Sequence, residues 1–218
     1  MMIKKKNIAL IGASSGIGIE LQKVINISKY NIIKTTSKKL DITSKSQTDE
    51  FFQKNKIDIL INLAGKKHDF TLNEQDTYPY YKDMIDVNII GSLNLLSSCL
   101  NGMRERNYGR IIMVSSVFSV LNIPKQGVYS ATKTFLDKIV KTSSLENIGY
   151  GVTSNTIQLG YCGWGMGLNT TQENIEKAKN KIGLKRFIKI EELYSTIEYI
   201  INNEYVTGQN LRIDGGIR

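Results

Sequence analysis

The sequence predicts a doubly wound α/β domain around a mostly parallel sheet. Two observations point there. Short apolar runs alternate with amphipathic stretches at helical spacing, the pattern of repeated βαβ units. The first run ends in a glycine-rich turn that leads straight into a helical pattern, as open parallel sheets do where they bind ligands. At 218 residues the chain has room for one such domain, taken as 1–218, whose core needs no staples.

The elements follow in order. Asn7–Ile11 is a first strand, stopped by Gly12. Ile17, Leu21, Val24 and Ile25 recur at helical spacing and give a first helix. Asn31–Thr36 is a second strand, Thr48–Lys54 a short helix and Ile57–Asn62 a strand. Met84–Arg106 reads as one long helix with Ile89, Leu93, Leu96, Leu100 and Met103 on one side. Arg110–Ser115 is a strand, Val128–Leu145 a helix and Val152–Gln158 a strand. Ile175–Ile182 has helical character, Glu191–Ile201 is a helix with Leu193, Ile197 and Ile201 in register, and Asn210–Asp214 is the last strand. A parallel sheet must be covered on both faces, which these helices can do.

Composition excludes several classes. Hydrophobic residues make up 41% and charged residues 22%, which rules out disorder, collagen-like repeats and coiled coil. The longest apolar runs, such as Ile8–Ile11 and Ile59–Ile61, are too short to span a membrane. The basic start, Met1–Lys6, precedes only a short apolar stretch before Gly12, whereas a secretory leader needs roughly 7–15 apolar residues. The expectation is a cytoplasmic protein with no membrane partner. Cys99, Cys162 and the single histidine, His68, make neither a disulfide framework nor a plausible metal set, and His68 reads as a loop residue. Twenty-nine basic against 20 acidic residues leave a net charge of +9. The lysines are spread out, with no basic stripe interleaved with aromatics, so no nucleic-acid partner is expected. An anionic small ligand is the functional alternative.

Three motifs carry chemistry. Gly12-Ala13-Ser14-Ser15-Gly16-Ile17-Gly18 joins a strand to a helix, so its glycines permit a tight turn and the helix N-terminus favours a phosphate. Tyr129 and Lys133 lie four residues apart, on one helix face. A free tyrosine titrates at about 10, and a nearby ammonium favours its phenolate, making it a workable acid or base. Ser115 and Ser116 end a strand where a hydroxyl could hold a substrate oxygen.

Together these pieces resemble the short-chain dehydrogenase/reductase family, classical type, similar to its 3-oxoacyl-(acyl-carrier-protein) reductase-like members. Asn62-Leu63-Ala64-Gly65 looks like the family's N-N-A-G motif, Asn88 its structural and catalytic asparagine, and Ser116, Tyr129 and Lys133 its catalytic serine, tyrosine and lysine. Tyr129 stands thirteen residues after Ser116, a typical spacing that favours Ser116 over Ser115. Tyr205-Val206-Thr207-Gly208-Gln209 and Asp214-Gly215-Gly216 match the family's ending. The resemblance implies a Rossmann-type fold and hydride transfer with NAD or NADP. Tyr129 would act as general acid or base and Ser116 would hold the carbonyl oxygen. Lys133 would bind the nicotinamide ribose, and Asn88 would order a proton-relay water. It also implies a small carbonyl or alcohol substrate and a homodimer or homotetramer, paired through the helices around Leu93–Met103 and Phe135–Leu145 and through the C-terminal strand. A cofactor-binding, non-catalytic relative is the alternative, against which the intact Ser116, Tyr129 and Lys133 argue.

The departures are specific. Ile11 replaces the usual threonine, and Leu63 the second asparagine of N-N-A-G. Almost nothing separates the second strand from Asp41-Ile42, where the family places a helix and a strand before an adenine-contacting aspartate. The sheet is therefore expected to be shortened there, with Asp41 and Ile42 on the adenine side. Leu159-Gly160 replaces Pro-Gly, and Trp164 stands where a threonine often meets the nicotinamide amide. Trp164 either caps the site or fills a hydrophobic gap. Gly160, Gly163, Gly165 and Gly167 free that loop to move, Met166 matches a family methionine, and the altered loop weighs against a standard acyl reductase. Expected cofactor contacts come from Gly12, Ser14, Ser15, Gly16, Ile17, Gly18, Asn62, Ala64, Gly65, Tyr129, Lys133 and Gly160. After the second strand, Ser37 and Lys38 stand with no carboxylate before Asp41, which favours NADP over NAD.

Overall fold

The computed structural model describes residues 5–14, 16–165 and 171–217. Six parallel strands form one sheet: β1 (Lys6–Ile11), β2 (Tyr30–Lys34), β3 (Ile59–Asn62), β4 (Gly109–Ser116), β5 (Val152–Leu159) and β6 (Asn210–Ile213). Their order is β2-β1-β3-β4-β5-β6. The helices are α1 (Ile17–Val24), α2 (Lys45–Lys54), α3 (Tyr78–Met84), α4 (Ser92–Glu105), α5 (Gly127–Asn147), α6 (Gln172–Lys181) and α7 (Ile190–Asn202).

Strand alternation sorts the core into two layers. Ile8, Leu10, Ile59, Ile61, Ile112 and Val114 face one side, against Leu21 of α1 and Leu193, Ile197 and Ile201 of α7. Ala9, Ile11, Leu60, Ile111 and Met113 face the other, against Leu96 and Met103 of α4 and Leu136 and Val140 of α5. Both strand faces are apolar because both are covered, giving the doubly wound, Rossmann-type arrangement. Among the described residues no helix is long and apolar enough to cross a membrane.

The long helix expected over Met84–Arg106 is built differently. The helical run begins at Tyr78, with Pro79 in the first turn, where its missing N–H has no helical partner to lose. It then passes through a π-helical segment, Ile85–Gly91, before α4. That segment carries Asn88 and packs against the α5 side of the site.

The connection after β2 is short, so β2 forms the sheet edge, and among the described residues no strand lies beyond it. Leu40 and Ile42 are buried in the layer beneath α4. Asp41 Oδ1 accepts from the Thr43 backbone at 2.9 Å and its hydroxyl at 2.7 Å, closing a local turn. Asn94 Nδ2 of α4 donates to the carbonyls of Ile42 (3.0 Å) and Thr43 (3.1 Å). Asn94→Leu should strip both carbonyls of this donor and destabilise the protein by about 1–2 kcal/mol, lowering Tm by about 2–8 °C. Scanning calorimetry checks this; an unchanged Tm would mean that the connection holds itself.

Candidate active site

The chain leaves β1 toward β2 on one side and returns to β3 on the other. The order therefore reverses between β1 and β3, and a crevice opens at their C-terminal ends. Two adjoining clefts occupy it. The first, about 300 Å³, is lined by Gly12, Ser14, Gly16, Ile17, Gly18, Ser37, Asp41, Ile42, Ala64 and Gly65. The second, about 370 Å³, is lined by Ser115, Ser116, Tyr129, Lys133 and Gly160. Ile17, Leu63, Gly65 and Cys162 border both, so one elongated ligand could occupy the pair.

The glycine turn fits an anion. A Cβ on Gly18 would sit 2.3 Å from the Gly12 carbonyl oxygen, so only glycine lets α1 start this close to the turn. Gly16 caps α1 with no side-chain acceptor, so the first N–H groups of the helix keep their capacity for a bound phosphate. Gln22 Nε2 donates to the Ala13 carbonyl at 2.7 Å and braces the turn. Ser15 lies outside the described residues, as do Met166 and Gly167.

Several expected contacts sit elsewhere. Lys38 is exposed and does not line the first cleft, because the turn after β2 carries it outward. Asn62 is buried behind the cleft, where its Oδ1 accepts from the Ala64 backbone at 3.0 Å and shapes the wall. Asn88 is buried too. Its Oδ1 accepts from the Lys66 N–H at 2.8 Å, and its Nδ2 donates to the Lys66 carbonyl (2.9 Å) and Thr132 Oγ1 (3.0 Å). The asparagine thus clamps the loop after β3 to α5. Gly160 borders the second cleft rather than the first.

In the second cleft the two serines divide. Ser115 Oγ donates to the Lys133 carbonyl at 3.3 Å, so its hydroxyl is spent on α5. Ser116 Oγ accepts from the Phe118 N–H at 3.2 Å. Burial pushes the Tyr129 phenol up to about 12, with the nearby Ser116 hydroxyl opposing. Burial also pushes the Lys133 ammonium down to about 8, with the Asp137 carboxylate opposing. Lys133 Nζ donates to the Val114 carbonyl at 3.0 Å and lies 5.8 Å from the Tyr129 ring centroid. Desolvation therefore outweighs the expected pull of the lysine toward a phenolate, and Tyr129 is a protonated donor at neutral pH.

Other lining groups gave little sequence signal. Trp164 does both things open to it: it packs against the α1–α7 core layer and lines the first cleft. Gly165 approaches so closely that a Cβ on Gly16 would meet its Cα at 2.9 Å. Asn174, Ile175 and Ala178 of α6 line the second cleft together with Phe118 and Tyr161. Ile175 and Ala178 stand three apart, the one hint that this helix has an inward face. His68 lies in the loop after β3, its Nε2 2.9 Å from Asp83 Oδ2.

Comparison with known proteins agrees with this geometry. A family model described as Enoyl-(Acyl carrier protein) reductase matches residues 16–218. The 3-oxoacyl-(acyl-carrier-protein) reductase FabG of Buchnera aphidicola subsp. Baizongia pistaciae is 29% identical over 243 aligned residues, covering 100% of this chain and 99% of that one. The FabG of Thermotoga maritima is 31% identical over 188 residues, covering 82% of this chain and 75% of its own. A structure of ElxO with NADP bound superposes with a TM-score of 0.89 at 20% identity, over 97% of this chain and 98% of that one, a likeness of fold. A family match along nearly the whole chain, on a sheet and crevice of this construction, means that the chain belongs to the short-chain dehydrogenase/reductase family of NAD(P)-dependent oxidoreductases, on its 3-oxoacyl-(acyl-carrier-protein) reductase-like side.

Proposed function

We propose that the protein is an NADPH-dependent reductase that converts the ketone of a 3-oxoacyl thioester to an alcohol. The observation that carries this reading is the meeting of Ser116, Tyr129 and Lys133 in one cleft that opens onto the glycine-turn cleft. The named relatives are acyl-carrier-protein reductases, which favours an acyl thioester despite the unusual Trp164 loop. Phe118, Tyr161 and Ile175 give the second cleft the apolar walls that an acyl chain needs.

The nicotinamide, when bound, supplies the hydride. The protein supplies orientation and the proton. Ser116 Oγ donates to the ketone oxygen and stabilises the charge that grows there. Tyr129, raised to about 12 by burial, stays protonated at neutral pH and delivers its proton to that oxygen, which suits reduction rather than oxidation. Lys133 Nζ borders the same cleft, placed to hold a ribose hydroxyl and return a proton to Tyr129. Asn88 fixes the loop that carries Gly65 and Lys66 against α5. NADPH is favoured over NADH because the wall after β2 is Thr35, Thr36 and Ser37, with no carboxylate to repel a 2′-phosphate, while Asp41 Oδ1 is engaged by Thr43.

Exposed Ile85 and Ile90 on the π-helical segment, Leu145 at the end of α5 and Tyr199 on α7 beside the edge strand β6 support a homo-oligomer. Light scattering at micromolar concentration should give a dimer or tetramer mass, and a monomer mass would overturn that part.

Tyr129→Phe should bind cofactor as the native chain does and lose turnover by about a hundredfold or more in acetoacetyl-thioester reduction; near-native turnover would overturn the mechanism. Trp164 is the only tryptophan and lines the cofactor cleft, so its emission should fall on binding and read both affinities. NADPH should bind at least about tenfold tighter than NADH, as expected for a charge-assisted phosphate contact, and Ser37→Ala should narrow the gap. Equal or tighter NADH binding would refute the assignment.

A further inference from the structure

Asp137 is a buried carboxylate that neither the fold nor the mechanism above uses. It stands one turn beyond Lys133 on α5, in the ladder Tyr129, Lys133, Asp137, whose members share one helix face. It is 6% exposed and Lys133 is 5% exposed. Asp137 Oδ2 accepts from Gln158 Nε2 of β5 at 2.7 Å, and the same nitrogen lies 3.0 Å from Ser119 Oγ. Asp137 Oδ1 is buried with no hydrogen-bond partner among the described residues. Hydrogen bonding within the fold thus uses one of the two carboxylate oxygens, and an amide would serve Gln158 as well as a carboxylate does. The negative charge itself is left without a structural reason.

Lys133 provides one. Its ammonium lies in the interior with the Val114 carbonyl as its protein acceptor, and a buried cation without a counter-charge is expensive. The titratable groups around it are Tyr129 and Asp137 on its own helix, Cys162 after β5, and Lys67 and Asp69 after β3. Lys67 and Asp69 pair with each other, Nζ to Oδ1, at 2.9 Å, and burial holds the Cys162 thiol protonated. We propose that Asp137 is a positioning residue, the counter-charge that holds the Lys133 ammonium inside the protein. Its kinetic consequence rests on the reductase reading; its effect on Lys133 does not.

The test reads both. In the native chain without cofactor, Lys133 gives up its proton near pH 8 when folded and near its ordinary value when unfolded. Between those values the unfolded chain holds more protons at this residue, so Lys133 contributes a rise in stability to urea with pH, read from about pH 8 to 9, below the opposing fall from the buried thiols Cys99 and Cys162 and the Tyr129 phenol. Lys133→Met should abolish that rise. Asp137→Asn should move its onset down by about one pH unit, the effect of removing one opposite charge. In acetoacetyl-thioester reduction by NADPH, the alkaline fall of kcat should move down by the same amount, and Asp137→Glu should restore it. An Asp137→Asn variant slowed equally at every pH, with the stability onset unmoved, would overturn the proposal, as would native profiles in both assays. If Asp137→Asn does not fold, the double variant with Lys133→Met should, because the unpaired cation is gone; a double variant that also fails to fold overturns it. Activity in Tyr129→Phe would sink the reductase mechanism while leaving the stability arm to decide on Asp137.

Discussion

A single ammonium group in the protein interior sets the terms for the top of the sheet. Lys133 reaches the crevice only because α5 lies flat against β4 and β5, and its Nζ finds a backbone acceptor at the strand end, Val114. That contact fixes how far along β4 the helix can sit. Ser115 then ties its hydroxyl to the Lys133 carbonyl, and Asn88 holds the adjacent Thr132 inward. Ser116 is left as the hydroxyl facing the phenol. The division of labour between two adjacent serines is thus a matter of which one the buried helix consumes.

The same desolvation decides the acid. In water an ammonium near a phenol would favour the phenolate. Here both groups lose solvent, and each retreats toward its neutral form, the lysine downward and the tyrosine upward. A short polar network, Asp137 to Gln158 to Ser119, joins α5, β5 and the segment after β4 directly below.

Much of this was legible in the amino-acid order, because strands covered on both faces must be apolar runs and the helices between them must repeat every three to four residues. The strands and the other helices read from those periods exist, with ends displaced by a few residues, whereas the run expected over Met84–Arg106 is divided between the end of α3, a π-helical segment and α4. Periodicity could not show the π-helical segment around Asn88, since seven residues make fewer than two turns, too few for a change of period to register in the apolar pattern. Lys38 faces solvent because local sequence says nothing of the direction in which a turn throws its side chains. The inward face of α6 was equally hidden: it rests on Asn174, Ile175 and Ala178, and only the second of these is large and apolar. The shortened stretch before Asp41 was visible as missing length. That Leu40, Ile42 and Asn94 would secure it was not, because those contacts join positions about fifty residues apart.

That missing length also changes what the sheet offers its surroundings. With no strand outside it among the described residues, β2 presents a rim of unpaired main-chain donors and acceptors, the kind of edge that recruits strands from other molecules. Three features of the segment discourage this. It is only five residues long, it carries the exposed polar residues Asn31 and Lys34, and it runs at once into a turn carrying Lys38 and Lys39. The lysines that follow β2 therefore act outward as well: a positively charged margin that discourages copies of the protein from zipping edge to edge.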